Sequence, residues 1–275
     1  MGVASQLIAS PLPCSRRTTL KIVVCVKQVP DTAAKVVVDG GVVSWGDAPL
    51  VINPWDEYAV EAALQLAEKS GGTVTAISLG GEAAKEALKH ALAMGCNDAV
   101  LVNDPALADI DTQGAARVLA AAIQKTGDAR IAVFGKQAID GDSGVTAAQT
   151  ARALGWPALT LAASVSLDGD TLKVERAMEE GRQKAEAPLP AVLSIVKDFG
   201  EPRYPSFMGI RKAAKAEIPA WSLADLGVAA PAAAVTWKEI LNPPARQVTN
   251  EMITGASPDE IAAKLADKIM EEKVL

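Results

Sequence analysis

From Leu20 onward, short runs of β-branched and aliphatic residues alternate with longer segments whose apolar positions return every three to four residues. That alternation allows few architectures. Strands separated by helix-length stretches do not close into hairpins; they pair parallel, with the helices crossing back over the sheet. The expected fold class is α/β. Lys21 to Val26 (KIVVCV) is apolar after its lysine, as a strand covered on both faces requires. Asn53 and Pro54 open a helix, with Asp56 and Glu57 in its electropositive first turn and Gly71-Gly72 at its end. The unit repeats as strand Thr73 to Ser78, helix Glu82 to Met94, strand Ala99 to Val102, helix Thr112 to Lys125, strand Arg130 to Phe134 and helix Gly144 to Leu154.

Two stretches depart from this rhythm. Lys35 to Trp45 reads as a hairpin turning at Asp39, Gly40 and Gly41. Beyond Trp156 the pattern becomes paired strands, Ala163 to Leu167 with Thr171 to Arg176, then a buried strand at Ala191 to Val196. After Pro219 come Ala-rich and Pro-rich stretches and one last helix, Pro258 to Glu272. They hold too little apolar material for a core of their own. The expected division is an N-terminal extension over 1–19, an α/β nucleotide-binding domain over 20–220, and an arm over 221–275 that packs on another subunit.

The first nineteen residues contain no acid, carry Arg16 and Arg17, and are rich in Ser and Thr. An organellar transit peptide has that composition, and so does a stretch read from a bacterial start codon placed too far upstream. The expected address is accordingly the bacterial cytoplasm, or the mitochondrial matrix on the first reading.

Net charge −6 and a pI near 5.0 argue against nucleic acid, whose affinity comes largely from Lys and Arg on phosphates. No apolar run approaches the roughly 18 residues of a membrane span. Cys14, Cys25 and Cys96 are scattered and odd in number, which suits a reducing compartment and indicates no zinc site. His90 is the single histidine, so a Ser-His-Asp mechanism has little to draw on.

The segment that carries chemistry is Gly135-Lys136-Gln137-Ala138-Ile139-Asp140-Gly141-Asp142-Ser143-Gly144-Val145-Thr146, between a strand and a helix. Unpaired N–H groups at a helix N-terminus bind phosphate, glycines let the backbone come close, and Ser143 and Thr146 add hydroxyls. It is neither G-x-G-x-x-G nor a Walker loop. On local sequence alone, Asp140 and Asp142 read more readily as caps of the following helix. Cys25 to Asp31, Ser78 to Gly81 and the Asn53 helix start lie at equivalent strand ends, where open α/β sheets gather ligands.

Taken together, VKQVPDT (Val26 to Thr32), INPWDEYAVEAAL (Ile52 to Leu64), ALAMG (Ala91 to Gly95), GKQAIDGD (Gly135 to Asp142) and EPRY (Glu201 to Tyr204) closely resemble the beta subunit of electron transfer flavoproteins, the ETF beta/FixA family. The strings occur in order and at the family's spacing from about Leu20 to near the C-terminus. The resemblance implies a Rossmann-like fold of the adenine nucleotide alpha hydrolase type and a heterodimer. In it the alpha subunit holds most of the FAD site, and the beta subunit binds AMP and has no catalytic residue of its own. Carried onto matching positions, the AMP site is Cys25, Asn53, Pro54, Trp55, Asp56, Leu79 and Gly135 to Thr146. The family's recognition loop falls on Glu201 to Ala213, where Tyr204, Phe207, Ile210 and Arg211 dock acyl-CoA or other flavin dehydrogenases. The onward acceptor the resemblance implies is a membrane ETF:quinone oxidoreductase or another acceptor. Val174-Glu175-Arg176-Ala177 departs from the VERE-like string of some members.

Electron-bifurcating members place a second FAD where others hold AMP. Here VKQVPDT, DEYA and the GDS turn look like the bifurcating branch, whereas Thr146 stands where the AMP branch has a phosphate-contacting threonine. The expectation is AMP, with a second FAD as the alternative. Further alternatives are a stand-alone nucleotide-binding sensor module and an enzyme with Asp140 and Asp142 as paired carboxylates.

Overall fold

The computed structural model describes residues 19–244 and 250–272; all but the last residue of the expected N-terminal extension lie outside them. In chain order, β1 (Lys21–Cys25) and β2 (Gln28–Pro30) precede the hairpin of β3 (Val37–Asp39) and β4 (Val42–Ser44), followed by β5 (Leu50–Ile52) and α1 (Pro54–Ser70). Then come β6 (Thr73–Leu79), α2 (Lys85–Met94), β7 (Asp98–Val102), α3 (Thr112–Lys125), β8 (Ala129–Gly135) and α4 (Thr146–Leu154). A meander of β9 (Ala158–Asp168), β10 (Thr171–Met178) and β11 (Gly181–Pro188) leads to β12 (Ala191–Ile195). Last are α5 (Phe207–Ala213), β13 (Ala220–Trp221), α6 (Leu223–Leu226) and α7 (Pro258–Glu271).

Nine of the strands form one sheet in the order β11-β10-β9-β12-β8-β1-β6-β7-β13. Every pairing from β9 to β13 is parallel, and β10 pairs antiparallel with both β9 and β11. Alternation along β1 shows how the layers are held. Ile22 and Val24 point into a core with Val60, Leu64 and Leu88 of α1 and α2, while Val23 and Cys25 join Val118, Leu119 and Ala151 of α3 and α4 on the other face. With each fully buried Ile or Leu contributing about 1.5–3 kcal/mol, two such cores stabilise the sheet from both sides. By contrast, α7 buries no residue.

The chain order places the site. After β1 it builds outward through β6 and β7, then returns to lay β8 on the opposite side of β1. This reversal opens a crevice at the carboxyl ends of β1 and β8.

Four features differ from the sequence expectation. The strand β11 was not anticipated, because GRQKAEAP has no apolar alternation; it is a solvent-facing edge strand. The paired strands run longer than expected, to β9 and β10. Helix α4 starts at Thr146, not Gly144, because Gly144 adopts φ +63°, which no right-handed helix contains. And β13 pairs with β7 while Leu223 is buried, so the body continues past the division expected at 220/221.

Candidate functional site

At the crevice, the end of β1 is stitched to the start of α1. Asn53 N–H donates to the Lys27 carbonyl (2.8 Å), and Lys27 N–H donates to Asp56 Oδ2 (2.7 Å). Asn53 occupies the N-cap position expected of it, yet its side chain does not cap the helix. Fully buried, it reaches across to the next strand end: Nδ2 donates to the Gln137 carbonyl (2.8 Å) and Oδ1 accepts from Ile139 N–H (3.2 Å). One asparagine thus fixes the loop after β8 to the helix after β5.

The same loop folds on itself. Asp142 N–H donates to the Ala138 carbonyl (2.8 Å), and Gln137 Nε2 donates to Asp142 Oδ1 (2.7 Å). Asp140 pairs with Lys27 Nζ at 2.7 Å, and Lys136 Nζ sits 5.3 Å from the centre of the Trp55 ring. The two aspartates therefore do not cap α4, contrary to the local sequence reading, since each is engaged within the loop or with β1's exit. Val145 holds the N-cap position, and no side chain caps the helix. The first N–H groups of α4 are left for something else, which is the arrangement that binds anions.

Gly135 is the closest approach in the site. A methyl group there would fall 2.7 Å from the Trp55 carbonyl carbon and against Asp56 Oδ1. Only a glycine lets β8 end so near α1.

A cavity of about 340 Å³ opens between these elements, within the roughly 300–1,000 Å³ typical of small-molecule sites. Of the residues expected to form the site, Cys25, Asp56, Leu79, Gly135 to Ala138, Asp140 to Gly144 and Thr146 line it. Asn53, Pro54, Trp55, Ile139 and Val145 do not; they hold the wall from behind or, like Val145, face solvent. Sequence reasoning missed the opposite wall, Ile110 to Thr112 at the start of α3, and the floor of Leu119, Phe134 and Ala147. The Asp-Thr pair opening α3 after a strand was the available signal. It also missed Trp237, which reaches the cavity from the arm.

Burial raises the Asp56 carboxyl to about 7, against the pull of the N–H groups of Lys27 and Gly135. Burial likewise pushes the Cys25 thiol up, so it is neither a nucleophile nor a ligand at neutral pH. Among the described residues no group of His, Cys, Asp or Glu could hold a metal ion. The cavity has donors for an anion and apolar surface for a ring, and lacks an activated nucleophile.

A second feature lies on the outside. Arg203 binds Glu61 of α1 through Nε (2.8 Å) and backbone N–H (3.1 Å), and also Glu68. Burial would raise Glu61, but the Arg203 and Gln65 hydrogen bonds outweigh it and hold the carboxyl below its usual value. From this anchor the chain presents Tyr204 (92% exposed), Phe207 (74%), Met208 and Ile210 to solvent. Ser206 caps α5, and Gly209 packs so tightly on the Ala93 carbonyl of α2 that a side chain there has no room. Arg176, in the string that departs from VERE, donates through Nε to the Thr160 carbonyl (2.8 Å).

The family model described as the electron transfer flavoprotein domain matches residues 41–226. The chain is 34% identical to caffeyl-CoA reductase-Etf complex subunit CarD of Acetobacterium woodii, over 93% of this chain and all of that protein. It is 36% identical to the electron transfer flavoprotein subunit beta of Megasphaera elsdenii, over 93% of this chain and 98% of the relative. With the corresponding subunit of Clostridium acetobutylicum the figures are 41%, 76% and 81%. This chain belongs to the electron transfer flavoprotein beta-subunit family. Electron transfer in partnership with an alpha subunit is that family's work, and its beta subunits are carriers rather than enzymes. No helix among the described residues is long and apolar enough to cross a membrane.

Proposed function

We propose that this chain, as the beta subunit of a heterodimeric electron transfer flavoprotein, holds AMP in the cavity at the ends of β1 and β8. The observation that carries this reading is the uncapped N-terminus of α4 facing that cavity along the Gly135 to Thr146 loop. A phosphate there takes the free N–H groups and the Thr146 hydroxyl, as a helix dipole favours. Leu79, Leu119 and Phe134 supply apolar surface for the nucleoside. Thr146, standing where the AMP branch has its phosphate-contacting threonine and lining the cavity, favours AMP over a second FAD.

The FAD shared with the alpha subunit supplies the redox chemistry when bound. This chain's residues bind and orient. Tyr204, Phe207, Ile210 and Arg211 form the surface on which acyl-CoA-type or other flavin dehydrogenases dock, supported by their exposure and by the rigid Arg203 anchor behind them. The name of the Acetobacterium relative, a subunit of a complex with a CoA-ester reductase, points to the same class of partner. The onward acceptor in this reading is a membrane quinone oxidoreductase, and bacterial relatives favour a cytoplasmic setting. The end of the arm, with Ile261 and Leu265 of α7 uncovered, packs on the alpha subunit in this reading.

The test is co-expression with the alpha subunit, denaturation, and mass spectrometry of what is released. One FAD and one AMP per heterodimer are expected. Two FAD would replace AMP with a second flavin. A flavin band that dehydrogenase plus substrate cannot bleach would remove the carrier role.

A further inference from the structure

The arm does not leave the body freely. Pro231 lies on Gly114, where an added methyl would meet its Cγ at 3.2 Å. Asp111 uses one carboxylate oxygen to cap α3 through Gly114 N–H (2.7 Å) and the other to accept from Ala234 N–H (2.7 Å) and Val235 N–H (3.1 Å). Further on, Asn242 pairs with both backbone groups of Val38 in the hairpin, accepting at 2.9 Å and donating at 2.6 Å. Between these two attachments the strap of chain brings Trp237 to the cavity. Trp237 lines the cavity together with the Gly135 loop, and also faces Gly40-Gly41 of the hairpin turn.

An indole 84% exposed at the rim of an apolar-floored cavity offers a flat face to a ring bound there. Backbone donors supply the phosphate end of the site, and Leu79, Leu119 and the buried Phe134 its floor; Trp237 is the one aromatic group at the open side among the described lining residues. We propose that residues 231–242 form the outer wall of the nucleotide site and that Trp237 stacks on an aromatic ring of the bound nucleotide. This rests on the nucleotide reading above and extends it to a residue outside the strand-end loops. The adenine of AMP and the ring of a flavin share the chemistry the indole recognises; the mass of the released nucleotide tells them apart.

The experiment uses the intact heterodimer, with nucleotide release followed by chromatography after dilution. Trp237→Ala should release its nucleotide about tenfold faster than wild type, the scale of losing one base–aromatic stack, while Trp237→Phe should stay within about threefold. Asn242→Ala, which unties the strap from the hairpin without touching the cavity, should fall between them. If wild type carries nucleotide and Trp237→Ala keeps it equally long, the stacking role is wrong and the nucleotide reading stands. Dissociation of the Trp237→Ala heterodimer would assign the indole to the subunit interface and overturn the proposal. A wild-type heterodimer with no nucleotide beyond its shared FAD overturns both.

Discussion

Residues 135–146 and 201–213 follow neighbouring strands of one sheet, β8 and β12, yet they are built in opposite ways. The first is concave and made of backbone: glycines, free N–H groups, and side chains turned inward to hold the loop's own shape, as Asn53 and Gln137 do. The second is convex and made of side chains, with Tyr204 standing in solvent just before, and Phe207 at the start of, a helix pinned by Arg203 and Gly209. A backbone site is rigid because the fold requires it, and it changes only when the fold is strained. A side-chain site on the surface can be altered without the core noticing. Substitutions in the first region should therefore cost stability and ligand together, whereas in the second the two effects should separate.

Gly135→Ala should show the largest effect. Its methyl group collides with the start of α1, an overpacking of about 3 kcal/mol. Thermal unfolding of the heterodimer and its nucleotide content should fall together. Normal stability with nucleotide lost would mean the loop yields independently of the sheet.

Asp56 tests the same region through pH. Its folded value, about 7, lies above the unfolded one near 3.9, so the folded state holds the proton more tightly. The stabilisation is fully present below about pH 4 and is lost as pH rises through about 7, at up to about 1.4 kcal/mol per pH unit. Asp56→Asn keeps an acceptor for Lys27 and Gly135 N–H but cannot ionise. Its unfolding should be flatter across that window; an unchanged slope would place the titration elsewhere.

Arg203→Ala probes the anchor that ties the second region to α1. It strands the buried Glu61 carboxylate, at a cost of about 2 kcal/mol, below that of a fully buried pair because the guanidinium is one-third exposed. Glu61 is held below its usual value, so the contribution is present above about pH 4.5 and lost as pH falls through the folded value. Urea unfolding at neutral and acid pH measures it. Wild type and variant should converge at low pH.

What could be read from the sequence follows the range of the forces involved. Strands and helices of the body were legible because burial on two faces writes itself into neighbouring residues, as KIVVCV and the alanine-rich α1 show. The polar edge strand β11 writes nothing of the kind. In the site, the Gly135 loop and the Asn53 start were visible as local chemistry, but their roles were not. Asp140 and Asp142 resembled caps because a cap is a local bond; Asp142 is held instead by Gln137 within the loop, while the partners of Asp140 and Asn53 come from other strand ends: Lys27 lies 113 residues from Asp140, and Asn53 lies 84 from Gln137. The Arg203–Glu61 pair, 142 residues apart, and the reach of Trp237 into the cavity arise only from folding.

Phe207→Ala should have the smallest effect on the molecule and still a measurable one on its work. The side chain is 74% exposed, so its loss removes almost no burial, and unfolding should shift by no more than about 0.5 kcal/mol. Nucleotide content should be unchanged, since α5 touches none of the cavity wall. Docking is another matter. An apolar anchor buried in a partner's pocket contributes more than any other contact of a small interface, while Arg211 and Lys212 beside it speed encounter rather than hold the complex. Flavin reduction by a limiting dehydrogenase should slow about tenfold through a raised apparent KM, and added salt should slow wild type and variant alike. If Phe207→Ala instead lost nucleotide or stability, the two regions would be coupled through α2 and α1, and their separation into a backbone site and a side-chain site would fail.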